Sequence, residues 1–282
     1  MGRVIVAGGA PQMTVPSTFP PIGTALNDMT WEQIRAISDA GKAADYFNLG
    51  DTKTITINGK VGNTTFSNLS IDAFIIGFNH NSAREGANRI HFKIGKINGV
   101  HIALCDSHYG SDGSSASYFQ MNASNTNSGG WNNSSMRKTL LGNSGTPSNP
   151  PSNSLLAALP ADLRAVMKAV TKYSDNTGGG SNTASYVTST TDYLFLLSEF
   201  EYHGARTYAN SAEQNYQAQY DYYKAGNSKI HYKHNATGTA ANAWCRSVSS
   251  GYSRYFCLVL TGGSANFNDA YYSRGVAPGF CV

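Results

Sequence analysis

The chain is poor in charge. Asp, Glu, Lys and Arg supply only 13% of its 282 residues, and no run of Lys or Arg exceeds a pair. Nucleic-acid binding relies on clustered cations that displace counterions from phosphates, so a nucleic-acid partner is not expected despite a net charge of +4. No apolar run approaches the roughly 20 residues that span a bilayer, which argues against membrane insertion. Near the N-terminus the apolar run is only Val4-Ile5-Val6-Ala7, shorter than the core of a signal peptide, so synthesis and folding in a cytosol are expected. The four cysteines, Cys105, Cys245, Cys257 and Cys281, include no Cys-x-x-Cys pair. Buried free thiols are the expectation, with a Cys257–Cys281 bridge left open. The chain also has no Gly-x-Ser-x-Gly, no P-loop and no His-Glu-x-x-His. It is read as a non-enzyme with no cofactor and no metal.

What the chain does have is Gly, Ser, Asn, Thr and Tyr, the balance of a turn-rich binding protein. The C-terminal stretch from Trp244 is the most informative. Two apolar blocks, one around Phe256-Cys257-Leu258-Val259 and one running from Gly275 to Cys281, bracket Tyr and Arg residues set among Ser, Gly and Asn. Tyr offers large contact area at low entropy cost, so this composition suits a displayed binding surface. The candidate ligand-binding residues are Tyr252, Arg254, Tyr255, Leu258, Leu260, Phe267, Asp269, Tyr271, Tyr272, Ser273 and Arg274. Strand alternation predicts that Leu258 and Leu260 point outward if Cys257 and Val259 point inward. Pairing of 256–259 with the closing 276–281 segment is expected to bring the two stretches onto one face. Trp131, Trp244, Phe256, Val276 and Phe280 are the expected frame.

Several motifs carry a resemblance. They are Trp244, Arg246 and Ser247, the Phe256-Cys257-x-Val259 strand, and the ending Gly275-Val276-Ala277-Pro278-Gly279-Phe280-Cys281. Upstream are Gly129-Gly130-Trp131, Ser135-Met136-Arg137 and the run Asp192-Tyr193-Leu194-Phe195-Leu196-Leu197-Ser198-Glu199. Together they resemble an uncharacterised domain family of phage tail proteins and gut-bacterial surface proteins. Ala243, Cys245 and Val248 depart from its usual Trp, Leu and Pro. The resemblance implies an α+β, C-type-lectin-like fold with short antiparallel strands, few helices and long loops. It also implies a variable protein of a diversity-generating retroelement, with a hypervariable region at about 245–274. The partner would be a cell-surface receptor, protein or glycan, of a bacterial host. The location would be a phage tail tip, or alternatively a bacterial cell surface, and a homotrimer is the implied assembly. Such mutagenesis acts on adenines of Asn codons and cannot produce Lys, Glu, Gln, Met or Trp; none of the five occurs from Cys245 to Val282. The alternatives are a carbohydrate-binding surface protein of fixed specificity and an oxidase of the formylglycine-generating type using Cys257 and Cys281.

Residues 1–28, rich in Gly and Pro, read as an attachment or oligomerisation arm with a short strand at Val4-Ile5-Val6, and 29–282 as one lectin-like domain. Thr30 and Gln33 form a capping-box signature ahead of a helix stopped by Gly41. Strands are expected at 52–57, 65–71, 72–79, 91–94, 100–104 and 193–197, with hairpin turns at Asn58-Gly59 and Asn98-Gly99. Helices are expected at 131–141 and 154–170, the second broken at Pro160. His101, Cys105, Asp106 and His108 lie close in sequence but lack zinc-like spacing, and ordinary strand-end roles are favoured. Asp192, Glu199 and Glu201 are read as solvated or hydrogen-bonded structural carboxylates. Phe267-Asn268-Asp269 faintly resembles one element of a calcium-dependent sugar site, but its Glu-Pro-Asn partner is missing.

Overall fold

The computed structural model describes residues 19–113 and 115–282; the expected strand at Val4-Ile5-Val6 and most of the proposed arm lie outside them. The fold mixes helix and strand, and most of it is strand and loop. Its helices are short: α1 (Trp31–Asp39), α2 (Ala43–Tyr46), α3 (Ser82–Glu85), α4 (Gly130–Asn133), α5 (Leu155–Ala158), α6 (Ala161–Val166), α7 (Glu199–His203) and α8 (Asp221–Lys224). Thr30 and Gln33 close both halves of a capping box at α1, and Ser198 and Glu201 do the same at α7. Among the described residues no helix is long and apolar enough to cross a membrane.

The largest sheet has seven strands. It contains β1 (Thr52–Val61), β2 (Thr64–Phe78), β3 (Ile90–Ile97), β4 (Val100–Ala103), β7 (His231–Lys233), β8 (Ala236–Ala241) and the closing β12 (Gly279–Cys281). A two-stranded sheet pairs β5 (Val170–Asp175) with β6 (Val187–Asp192). A three-stranded sheet is ordered β11 (Ala265–Asp269), β10 (Tyr255–Val259), β9 (Ala243–Val248). One apolar cluster runs from Leu26 to Val282 and includes Trp31, Trp131, Trp244, Phe256, Val276 and Phe280, so the expected frame is buried. Phe19 and Leu26, N-terminal to α1, also pack on this body.

Several expectations are corrected. Asn58-Gly59 makes no turn: the β1–β2 register shifts there as a bulge, with Gly59 at φ 131°. The hairpin turns at Gly62-Asn63, where Gly62 has φ 57° and an added Cβ would lie 2.1 Å from the Ser117 carbonyl oxygen. The two strands expected at 65–71 and 72–79 are one, β2. The strands are also neither all short nor all antiparallel, since β2 has 15 residues and β4 pairs with β7 in parallel. Helix 131–141 divides into α4 and a π-helical turn, Met136–Leu140. Helix 154–170 ends at Val166, and Val170 instead opens β5 opposite Asp192. In the run 193–197, Tyr193 is half-buried and 194–197 are buried, but the run forms only a bridge, Phe195 to Gly279. Asn98-Gly99 does turn between β3 and β4, with φ of 49° and 79°.

The closing segment does not pair with 256–259. β12 lies against β3, and Val276 bridges to Leu104, while β10 is flanked by β9 and β11. This places Cys257 and Cys281 in different sheets, and all four thiols are free and buried.

Candidate ligand-binding surface

The middle strand β10 is covered on both faces. Leu258 stands beside Trp244 of β9, and the Cys257 thiol faces Glu199 at 3.8 Å. Phe256, Cys257, Leu258 and Val259 are therefore all buried. Leu258 is not a contact residue: alternation exposes side chains only where one sheet face is open, and here neither is. Ser273 is likewise buried. Its hydroxyl donates to Asp106 Oδ1 at 2.6 Å, and Asp106 Oδ2 accepts the Phe119 N–H at 2.8 Å. Ser273 pins the chain between Tyr272 and Arg274 and does not face solvent. Leu260 is only partly exposed and packs against the core.

The remaining candidates form two neighbouring groups. In the first, the Tyr255 and Phe267 rings stack at 4.7 Å and 13°, and Tyr252, 55% exposed, packs on both at 5.2 and 5.5 Å. The Arg254 guanidinium lies 5.0 Å from the Tyr255 ring centroid, donates to its hydroxyl at 2.7 Å and pairs with Asp269 at 3.0 Å. In the second, Tyr271 and Tyr272 meet edge to face, and Arg274 lies over Tyr272 at 5.0 Å and Tyr109 at 5.9 Å. Desolvation raises the Tyr271 hydroxyl pKa, followed by Asp112, Tyr272 and Asp269, while Arg254 opposes the rise.

Residues the sequence reading missed hold this surface from beneath. Asn127 is fully buried; its amide nitrogen donates to the Tyr252 and Tyr255 carbonyls at 2.8 and 2.9 Å, and its oxygen accepts the Gly179 N–H at 2.8 Å. Asn125 donates to Asp269 at 2.8 Å. The Glu199 carboxylate accepts the backbone N–H groups of Thr207, Tyr208 and Ala209, and the loop it holds sets the Tyr208 ring 4.9 Å from Phe267. Asn125, Asn127 and Tyr208 come from loops, whereas Glu199, already read as a structural carboxylate, opens α7; the only sequence signal for the two asparagines is the density of Asn in 122–127.

The residues read as possible chemistry are dispersed or engaged. His101 bonds to the Tyr222 hydroxyl at 2.9 Å, Cys105 is a buried thiol, Asp106 binds Ser273, and His108 stacks on Tyr118. Asp192 accepts from Trp131 Nε1 and Arg137 Nε. The ligand atoms of His80, Glu85 and Glu201 do lie within 4.8 Å of one another. However, Lys172 Nζ reaches Glu85 and Glu201 at 2.7 and 3.0 Å, and Arg246 binds both Glu201 oxygens. The position a cation would take is filled by the protein's own cations. Desolvation raises Glu85 to about 7 and lowers His80 to about 3, with Lys172 reinforcing the latter. Burial also pushes the Cys257 and Cys281 thiols upward, Cys281 to about 12.

Residues 109–282, which include both groups of the surface and the strands beneath them, match a family described as a domain of unknown function, DUF6273. No curated protein matches the chain, and no solved structure does.

Proposed function

We propose, for a chain that belongs to the DUF6273 family, that it is a non-enzymatic receptor-binding protein, a phage tail-tip tropism determinant with a hypervariable contact surface written by a diversity-generating retroelement. The observation that carries this reading is the preorganised cluster of Tyr252, Arg254, Tyr255, Phe267 and Asp269. Its aromatic rings already stack on one another, and its Arg is already paired, so little side-chain entropy is lost on contact. Aromatic and Arg side chains of this kind are the usual energetic anchors of protein interfaces. They stand on a sheet whose own stability lies in buried residues, so exposed positions can change at small cost to the fold. The fold reading is a C-type-lectin-like domain, supported by long loops carried on a small antiparallel sheet and by a closing strand that returns to the main sheet. Weak single-face binding would be raised by display in a homotrimer. The receptor is a protein or glycan on a bacterial host.

The experiment is sequencing of the flanking DNA. The reading expects a reverse-transcriptase gene and a near-copy of the C-terminal coding repeat, with adenines at the codons for 252, 254, 255, 267, 269, 271, 272 and 274. A flank with neither would overturn hypervariability and leave the fixed-specificity carbohydrate-binding protein as the reading.

A further inference from the structure

Lys172, in β5, is buried, and its side-chain nitrogen meets three groups from three other parts of the chain. It donates to Glu85 Oε2, at the end of α3, at 2.7 Å. It donates to Glu201 Oε1, in α7, at 3.0 Å, and to the hydroxyl of Tyr220, just ahead of α8, at 2.8 Å. The Phe195 ring centroid lies 4.2 Å from the same nitrogen. Glu85, Glu201, Tyr220 and Phe195 are themselves buried, so bulk water does not compete for the amine or for either carboxyl group.

The two carboxyl groups are not equivalent. Glu201 has both oxygens bound by Arg246 and also accepts the Ser198 N–H at 3.0 Å. Burial alone would raise its carboxyl, but Arg246 and then Lys172 outweigh burial and hold it ionised. Among the described residues, Glu85 accepts a hydrogen bond from Lys172 alone. Burial raises its carboxyl to about 7, with Lys172 opposing. One proton passed along the 2.7 Å contact turns this ion pair into a free amine facing a carboxylic acid, and a dry site favours the uncharged pair. Holding amine and acid in contact supplies the proximity that a condensation otherwise lacks. His80 Nε2 is buried without a hydrogen-bond partner and lies 3.8 Å from Glu85 Oε1. His80 also borders a cleft of about 330 Å³ shared with the exposed residues Asp221 and Lys224.

We propose that Lys172 and Glu85 condense to an intramolecular isopeptide bond. The Lys172 nitrogen attacks the Glu85 carboxyl carbon. Glu201 takes the surplus proton from that nitrogen as the C–N bond forms and returns it to the departing hydroxyl of Glu85, whose carboxylate lies within 4.8 Å of its own. The hydroxyl leaves as one water, toward the cleft that His80 borders. Ammonium and carboxylate thus become amide and water, with nothing oxidised or reduced. The bond ties α3 to β5 across 87 positions of the chain. It restrains the unfolded state as a disulfide would, in a protein whose four thiols are all free.

The mass of the denatured parent chain, followed by tryptic mapping, tests it. The expected mass is one water below that of the sequence. Trypsin should leave Lys172 uncut and yield a branched species joining residues 85–89 to 169–206. Lys172→Arg and Glu85→Ala should each restore the full mass of their own sequences. A parent chain at full mass and cut at Lys172 would overturn the proposal. So would a lost water that maps elsewhere, one that maps to Lys172 and Glu201, or one that persists in Lys172→Arg. The parent's own mass and map decide the matter even where a variant fails to fold. The receptor-binding reading stands or falls separately.

Discussion

The side-chain amide of Asn127 donates to the Tyr252 carbonyl at 2.8 Å from a fully buried position. The same nitrogen reaches the Tyr255 carbonyl, so one side chain fixes both ends of the loop that presents Tyr252 and Arg254. Asn127→Ala should leave the Tyr252 carbonyl and the Gly179 N–H without partners, while the Tyr255 carbonyl keeps the Ser249 N–H, at a cost of about 1–3 kcal/mol for each group that stays buried. Hydrogen exchange should show faster opening of 250–255 than in the parent, with the β1–β3 amides unaffected. Unchanged protection in that loop would show that Asn127 does not position the surface.

Arg246 and Glu201 form a fully buried pair, with Glu201 also bound by Lys172. Removing one partner strands a charge in a medium that cannot solvate it, so Arg246→Met should destabilise by about 3–5 kcal/mol. The double variant Arg246→Met, Glu201→Gln should recover part of that loss. Denaturant unfolding of the four proteins in the cycle measures it, and strictly additive losses would mean that the pair is not coupled.

Lys93 is completely buried without a carboxylate partner and donates to Tyr223 at 3.0 Å. Desolvation lowers its pKa to about 7, Cys245 opposing and Lys96 reinforcing the shift. The unfolded chain keeps this lysine near 10.5, so between pH 7 and 10.5 the unfolded state binds the extra proton. Lys93 therefore makes stability rise with pH across that window and adds no slope below it. The difference in unfolding free energy between the parent and Lys93→Met should be flat below pH 7 and then grow in the parent's favour by a few kcal/mol toward pH 10. A difference independent of pH would show that Lys93 stays charged in the fold.

Local signals were legible in the sequence where local chemistry decides. Thr30 and Gln33 announced α1, Asn98-Gly99 announced its turn, and the apolar blocks announced β10 and the closing strand. Partner choice was not legible. Phe256–Val259 and Val276–Cys281 are both apolar and both extended, and nothing in either says that one joins β9 and β11 while the other joins β3. The exposure of Leu258 was misjudged for the same reason: alternation assigns a face, but whether that face is open depends on distant elements, here Trp244 and the loop held by Glu199. The aromatic and Arg positions were legible because their residue types suit contact. Asn127, Asn125 and Tyr208 were not, because a buried Asn and a loop Tyr look like any others until the fold brings them under 252–269. Glu201 and Arg246 lie far apart in sequence, so their pairing was equally hidden.

The surface reading makes a sharp contrast between neighbours. Tyr252→Ser removes an exposed ring and should change stability by no more than about 0.5 kcal/mol. Tyr255→Ser and Phe267→Ser each break the stacked pair and should cost about 1 kcal/mol beyond lost burial. Leu258→Ser, one residue from the core side of the same strand, should cost more than about 3 kcal/mol, because it leaves a cavity and an unpartnered hydroxyl. The triple variant Tyr252→Ser, Tyr255→Ser, Phe267→Ser should remain folded by circular dichroism. It should also lose adsorption to whichever strain, in a panel of bacterial cells, retains the labelled parent chain. Arg254→Ala should weaken adsorption with little change in melting, since its pairing with Asp269 is largely solvent-exposed. Full adsorption by the folded triple variant would show that contact lies elsewhere on the molecule. Loss of folding in the Tyr252 single variant would show that the ring belongs to the frame and not to the display.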